Sequence, residues 1–335
     1  TVQNSITVEE IYTRFDVPTF SVVGAGGYGA ISTDGITWTE TITDSVNTYS
    51  SQAYGAGKFV ALGYSNSKYV HSTDAISWTQ GALPGGSIWF RGLVYGDDRF
   101  VAVATNSAIA IYSTDAITWT QSALPTNAGG NWWNDVTHGD GTFVAISSQT
   151  GSYYGNISLA AHSTDGATWT AAAMPNSPDW ESVTHGDGKF VAVSYGNTTG
   201  TQGGAAAYST DGATWTQTAM PFSSQWRSVT YGQLSDVSGV FVAVSRIATG
   251  GLDQAAYSTD AITWTAASLP VVQGWRSVTH GFGRFVATPG GGNKAAYSTD
   301  GMTWTEATLP RNGSLHDSTF GSGNKIAKIN GFIYP

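Results

Sequence analysis

The chain has 335 residues, no cysteine, 11% charged residues and a net charge of −9. That acidic balance argues against a phosphate-backbone partner, so no nucleic acid is expected, and the missing thiols exclude disulfides and thiolate metal sites. With 41% hydrophobic residues, 13 Trp and 42 Gly, the composition is that of a packed, loop-rich β protein. No run of about 20 apolar residues is present to form a transmembrane helix, and no membrane insertion is expected.

Residues 1–18, with Glu9, Glu10, Arg14 and Asp16, match nothing downstream and are expected to be a tether or the edge of a preceding domain. Residues 19–335 are expected to be one domain. Phe20–Val23 and Gly29–Ser32 are short strand candidates, and they lead into the phrase Ser-Thr-Asp-Gly-Ile-Thr-Trp-Thr at Ser32 to Thr39. That phrase recurs, with small changes, seven times. Its aspartates, Asp34, Asp74, Asp115, Asp165, Asp211, Asp260 and Asp300, lie 40–50 residues apart, which is the period of a propeller blade.

The fifth copy shows the whole unit most clearly. It begins at Trp180-Glu-Ser-Val-Thr-His-Gly, turns through Asp-Gly into Lys-Phe-Val-Ala-Val-Ser, and crosses a loop to Ala-Ala-Ala-Tyr-Ser-Thr-Asp-Gly. It ends on Ala-Thr-Trp-Thr-Gln-Thr-Ala-Met-Pro221. These are four short strands, a to d, rich in Val, Thr, Phe and Tyr and separated by Gly, Asp and Pro. No helical periodicity competes with them. The stretch from Leu315 to Ile329 supplies strands a and b with no phrase after them, whereas the N-terminal part lacks a strand a. The expected fold is therefore all-β, a seven-bladed propeller of four-stranded antiparallel blades closed by joining N- and C-terminal strands.

The phrase reads as hairpin chemistry, with Asp and Ser bonding to nearby backbone groups, and the seven aspartates are taken as structural turn residues. Because Ala75, Ala116 and Ala261 replace Gly after the aspartate, no strict demand for positive φ is expected there. The phrase resembles the Asp-box of sialidases, sortilin-type receptors and related propellers, Ser-X-Asp-X-Gly-X-Thr-Trp, with one residue missing between Asp and Gly. The longer pattern of Tyr-Ser-Thr-Asp-Gly-X-Thr-Trp with Gly-X-Gly-X-Phe-Val-Ala-Val is similar to repeats in propeller domains of phage tail and other virion proteins. The resemblance implies that the phrase lies at the c–d turn, on the face opposite the b–c and d–a loops.

The b–c loops vary most between repeats, and three are long: Ser147 to Leu159, Ser194 to Ala205 and Ser245 to Gln254. They carry the candidate ligand-binding residues Tyr153, Tyr154, Asn156, Tyr195, Asn197, Arg246 and Asp253, side chains suited to stacking on and bonding a sugar or a protein. Arg227 and Arg276, at the start of strand a, are further candidates and are expected, with Glu181, to face solvent. Beside them Trp89, Trp133, Trp180, Trp226 and Trp275, with Leu315 in the last repeat, either ring a channel mouth or wedge blades together, and packing is the expected role. His138, His185 and His280 alternate with Tyr95 and Tyr231 at one strand-a position, an interchange that fits packing or channel lining better than metal ligation.

No catalytic constellation, cofactor site or metal site emerges from the pattern, and the chain is expected not to be an enzyme. The expected function is recognition: a module of a phage tail or other virion protein, virion-borne or extracellular, that binds a host-surface glycan or receptor. A purely structural virion component contacting neighbouring subunits is the alternative. A degenerate Asp-box glycoside hydrolase is a third reading, and it requires carboxylates clustered on the variable-loop face.

Overall fold

In each repeat the run around Phe-Val-Ala-Val has side chains apolar on both faces, which only a strand covered on both sides can accommodate. A computed structural model of the chain describes residues 11–44, 47–64, 67–126, 132–148, 158–175, 179–196, 204–234, 239–248, 254–271 and 273–329. Among them 28 strands form seven four-stranded antiparallel sheets. Strand b is sandwiched between neighbouring sheets, with Phe59, Phe100, Phe143, Phe241 and Phe285 completely buried. The outermost strand d, for example Thr120–Ala123, is mostly exposed and correspondingly polar.

The innermost strands are Tyr49–Gly55, Phe90–Gly96, Trp132–Gly139, Trp180–Gly186, Ser224–Gln233, Trp275–Gly281 and Leu315–Ile329, which open blades 1 to 7. Each touches the next, and the seventh touches the first, so the sheets close into a ring. Blade 7 is composite: its strand a is the C-terminal Leu315–Ile329, and strands b to d are Ile11–Gly24, Tyr28–Ser32 and Thr39–Ile42. The pairing of Phe20 with Phe320 and Val23 with Asp317 seals the ring. The same two strands continue past the blade as a two-stranded ribbon, Ile11 pairing with Ile329 and Pro18 with Ser322.

One contact recurs at every junction. A glycine six residues after the bulky residue of each strand a faces an aromatic ring of the next blade so closely that a Cβ would overlap it: Gly55 on Tyr95, Gly96 on His138, Gly139 on His185, Gly186 on Tyr231. Gly232 on His280, Gly281 on Phe320 and Gly321 on Tyr54 complete the circle. Each of these rings also packs 4.5–4.9 Å from a Phe of its own strand b. His138, His185 and His280 are thus wedge residues, which is why Tyr and Phe replace them.

In the phrase, Asp211 Oδ1 accepts the N–H groups of Ala213 (2.8 Å) and Thr214 (2.7 Å) and the Ser209 hydroxyl (2.9 Å), and the other six copies repeat this pattern. Those donors hold the aspartates below the usual carboxylate range, to about 2 at Asp115, Asp165, Asp211 and Asp260. The residue after each aspartate has positive φ in every copy, between 58° and 75°, alanines included. The sequence expectation is corrected here: the left-handed conformation is demanded seven times. Ala75, Ala116 and Ala261 tolerate it with their methyl groups fully buried.

Candidate functional site: the mouth of the central channel

Strand a begins with a bulky residue, Tyr49, Phe90, Trp133, Trp180, Trp226, Trp275 or Leu315, each fully buried between blades. Packing is therefore what the tryptophans do. The member from blade 2 is Phe90, whereas Trp89, assigned to this set from sequence, is exposed and packs 5.2 Å from the Tyr64 ring. After each bulky residue the pairing register shifts by one, so all seven strands carry a β-bulge at the same place. A bulge re-aims the extra side chain. Here it directs Ser50, Arg91, Asn134, Glu181, Arg227, Arg276 and His316 together into one small cavity of about 80 Å³ at the ring's centre.

The residue after the bulge ties the blades to one another. The hydroxyls of Ser182, Ser228 and Ser277 accept N–H groups of Val229, Val278 and Ser318 on the next blade. At two junctions a carboxylate takes this place: Asp135 Oδ2 accepts from Val183 (2.9 Å) and Asp317 Oδ2 from Gln52 (2.8 Å). Burial pushes Asp135 up to about 7, with the Asp317 charge adding to the N–H-opposed rise. Asp317 is pushed up to about 6 by burial, against the Gln52, Ser318 and Ser277 donors and the Arg276 charge. Two acids able to exchange a proton near neutral pH thus line the cavity beside the arginines.

At the bulge level two guanidiniums meet one carboxylate, and a third, Arg276, lines the same cavity. Glu181 Oε1 lies 2.5 Å from both Arg91 Nη2 and Arg227 Nη1. Arg91 also donates to Asn134 (2.8 Å), whose amide donates to the Trp180 carbonyl. Arg276 has no hydrogen-bond or ion-pair partner among the described residues. Burial, then Arg227 and Arg91, bring it down to about 10, so it stays cationic at neutral pH. His316 is brought down to about 4 by burial and by the same arginines, and is neutral. Asp179, beside the mouth, is pushed up to about 6 by burial and by the Glu181 charge. The expectation that Glu181, Arg227 and Arg276 face solvent is corrected: Glu181 and Arg227 side chains are only 9% and 12% exposed.

Of the ligand candidates named from sequence, four converge. Arg246 Nη1 donates to Tyr195 Oη (3.2 Å), the Arg227 guanidinium sits 5.1 Å over the Tyr195 ring, and Arg227, Arg246 and Arg276 line a second pocket of about 380 Å³. Tyr153, Tyr154, Asn156, Asn197 and Asp253 lie outside the described residues. Sequence reasoning left Arg91, Glu181, Asp135, His316 and Asp317 out of the site. The signal that links them is positional: each lies one or two residues after the bulky residue that opens strand a.

Fold and site together define a closed seven-bladed β-propeller with an arginine-lined channel mouth on the face opposite the Asp turns. Solved structures share that fold. Virginiamycin B lyase from Staphylococcus aureus is 13% identical with a TM-score of 0.63, over 96% of this chain and 100% of that one. A streptogramin B lyase gives 12% and 0.65, over 95% and 98%. YCF48 bound to D1 peptide gives 16% and 0.55, over 85% and 86%. No protein-family model and no curated protein sequence matches the chain.

The lyases overturn one sequence expectation. Enzymes are built on this architecture, at 12–14% identity to the chain, so the expectation of a non-enzyme does not stand. It had rested on the residue pattern offering no catalytic constellation. In a closed ring, equivalent positions are the ones that converge on the axis.

Proposed function

We propose that the chain is a ligand-binding propeller whose channel mouth seats an anionic group, with a carboxylate the best match. The carrying observation is Arg276, a largely buried guanidinium that opens into the cavity with no partner among the described residues. A buried guanidinium with no bonded acceptor is costly, and a bound carboxylate removes that cost through two parallel N–H bonds. Arg91 and Arg227, already oriented by Glu181, add positive potential in an otherwise acidic protein. Related propeller structures have been solved with quinupristin and with a D1 peptide bound, so the architecture accommodates small-molecule and peptide ligands.

The likeness of the repeats to phage tail propellers supports a narrower reading, in which the ligand is displayed on a host surface and the chain works outside the cell or on a virion. The anion seat is tested by titrating acetate and sulfate into wild type and Arg276→Ala at pH 7, followed by calorimetry and melting temperature. Saturable stabilisation of wild type that the variant loses is expected. Equal responses of the two proteins, or none, overturn the seat.

A further inference from the structure

The seat in the channel, about 80 Å³, holds a carboxylate and little else. Immediately beside it lies the pocket of about 380 Å³ between blades 5 and 6, and the two share Arg227 and Arg276. That volume falls at the small end of ligand pockets, roughly 300–1,000 Å³. A ligand anchored at Arg276 has its body in this pocket, because the shared guanidiniums form the boundary between the two spaces.

The lining decides what that body is. The floor is Gly274, Gly290 and Gly291, clipped together by the Gly290 N–H donating to the Gly274 carbonyl at 2.7 Å. The wall is the Arg246 guanidinium, held by the Tyr195 hydroxyl. Trp275 belongs to the lining, yet it is fully buried and offers no open ring face. What faces the space is guanidinium N–H and peptide backbone. An apolar body would cover those groups and leave them unbonded, whereas a hydroxyl-rich body satisfies them as donor and acceptor.

Resting on the anion-seat reading, we infer that the glycine-floored pocket is a sugar subsite and that the ligand is an acidic saccharide of the uronate kind. The carboxylate binds Arg276, and the ring hydroxyls lie over Gly290 and Gly291 against Arg246.

Gly291 gives a clean test. A Cβ built there has nothing within 4 Å, and its φ lies outside the left-handed region, so Gly291→Leu fills the pocket without straining the fold. Glucuronate, glucose, acetate and hexanoate are titrated into wild type, Gly291→Leu and Arg276→Ala, with melting curves confirming the fold of each. Glucuronate is expected to bind wild type about tenfold more tightly than acetate, the gain of one or two hydrogen bonds. Gly291→Leu is expected to lose that gain and keep acetate binding, and Arg276→Ala to lose both. Glucuronate no better than acetate overturns the sugar subsite and leaves the seat standing. Hexanoate matching glucuronate overturns it in favour of an apolar body. Failure of acetate and glucuronate alike removes the seat itself.

Discussion

The two ends of strand a obey different rules. At its C-terminal end, seven glycines each receive a ring from the next blade, and the residue types are confined to Gly against Tyr, His or Phe. At its N-terminal end, the bulge position holds Ser50, Arg91, Asn134, Glu181, Arg227, Arg276 and His316, five residue types in seven places. Within each end the backbone geometry repeats from blade to blade, bulged at the N-terminal end and regular at the C-terminal one. The contrast shows that the ring needs uniformity where blades wedge together and permits diversity where side chains reach a shared cavity.

That contrast breaks most readily at the wedge. In Gly281→Ala the new Cβ falls 2.0 Å from the Phe320 ring, at the junction with the composite blade. Overpacking of this kind is expected to cost about 3 kcal/mol, seen as a lower midpoint in chemical denaturation. Gly139→Ala, against His185, should cost a similar amount. An unchanged midpoint in both would show that the wedge contacts relax freely.

Next in size is the turn. Asp211→Ala removes an acceptor from two backbone N–H groups and a hydroxyl and is expected to cost about 1–2 kcal/mol, with ligand binding by the folded protein unchanged. Loss of binding at unchanged melting temperature would assign the turn a functional role instead.

A pH-dependent effect separates Asp135 from the serines that replace it in other blades. Its folded pKa of about 7 lies above the unfolded value of about 3.9, so the folded state holds a proton that the unfolded chain releases. The associated stability is complete below about pH 4 and is lost as pH rises towards 7, with Asp317 behaving alike up to about 6. Asp135→Ser should therefore flatten the fall in melting temperature between pH 4 and pH 7 and raise the melting temperature at pH 8. A slope identical to wild type would mean that Asp135 is not the titrating group.

The smallest stability change is expected at the residue proposed to hold the ligand. Arg276→Ala is expected to alter stability by no more than about 0.5 kcal/mol, in the stabilising direction, because it removes a buried unpaired charge. A loss of several kcal/mol would place Arg276 among the structural contacts and erase the contrast between the two ends.

Much of this was written in the repeat. The period of Asp34 to Asp300, the apolar strand b and the complementary fragments at the two ends of the chain specify blade number and closure, since each is a local pattern with one packing solution. Positive φ at Ala75, Ala116 and Ala261 was hidden because alanine usually signals the opposite. The arginine-lined cavity was hidden for a different reason. A bulge leaves no mark in residue type, so Glu181, Arg227 and Arg276 in strand a looked like solvent-facing residues, and only the register reveals their aim. Trp89 was misplaced by one position for the opposite reason, because residue type was matched and blade 2 fills the Trp position with Phe90.

The ribbon that extends blade 7 carries a mechanical consequence. Strand a of that blade runs from the arginine mouth to the opposite face, and the ribbon continues in that direction, so residues 11 and 329 emerge side by side at its tip. Force applied between those two points loads one residue pair at a time, in unzipping geometry. The fourteen pairs from Ile11–Ile329 to Gly24–Leu315 open in succession, and the outer ones yield before any tension reaches the ring. A pull on the ribbon as a whole instead loads both strands together, along the direction opposite to the one the mouth faces.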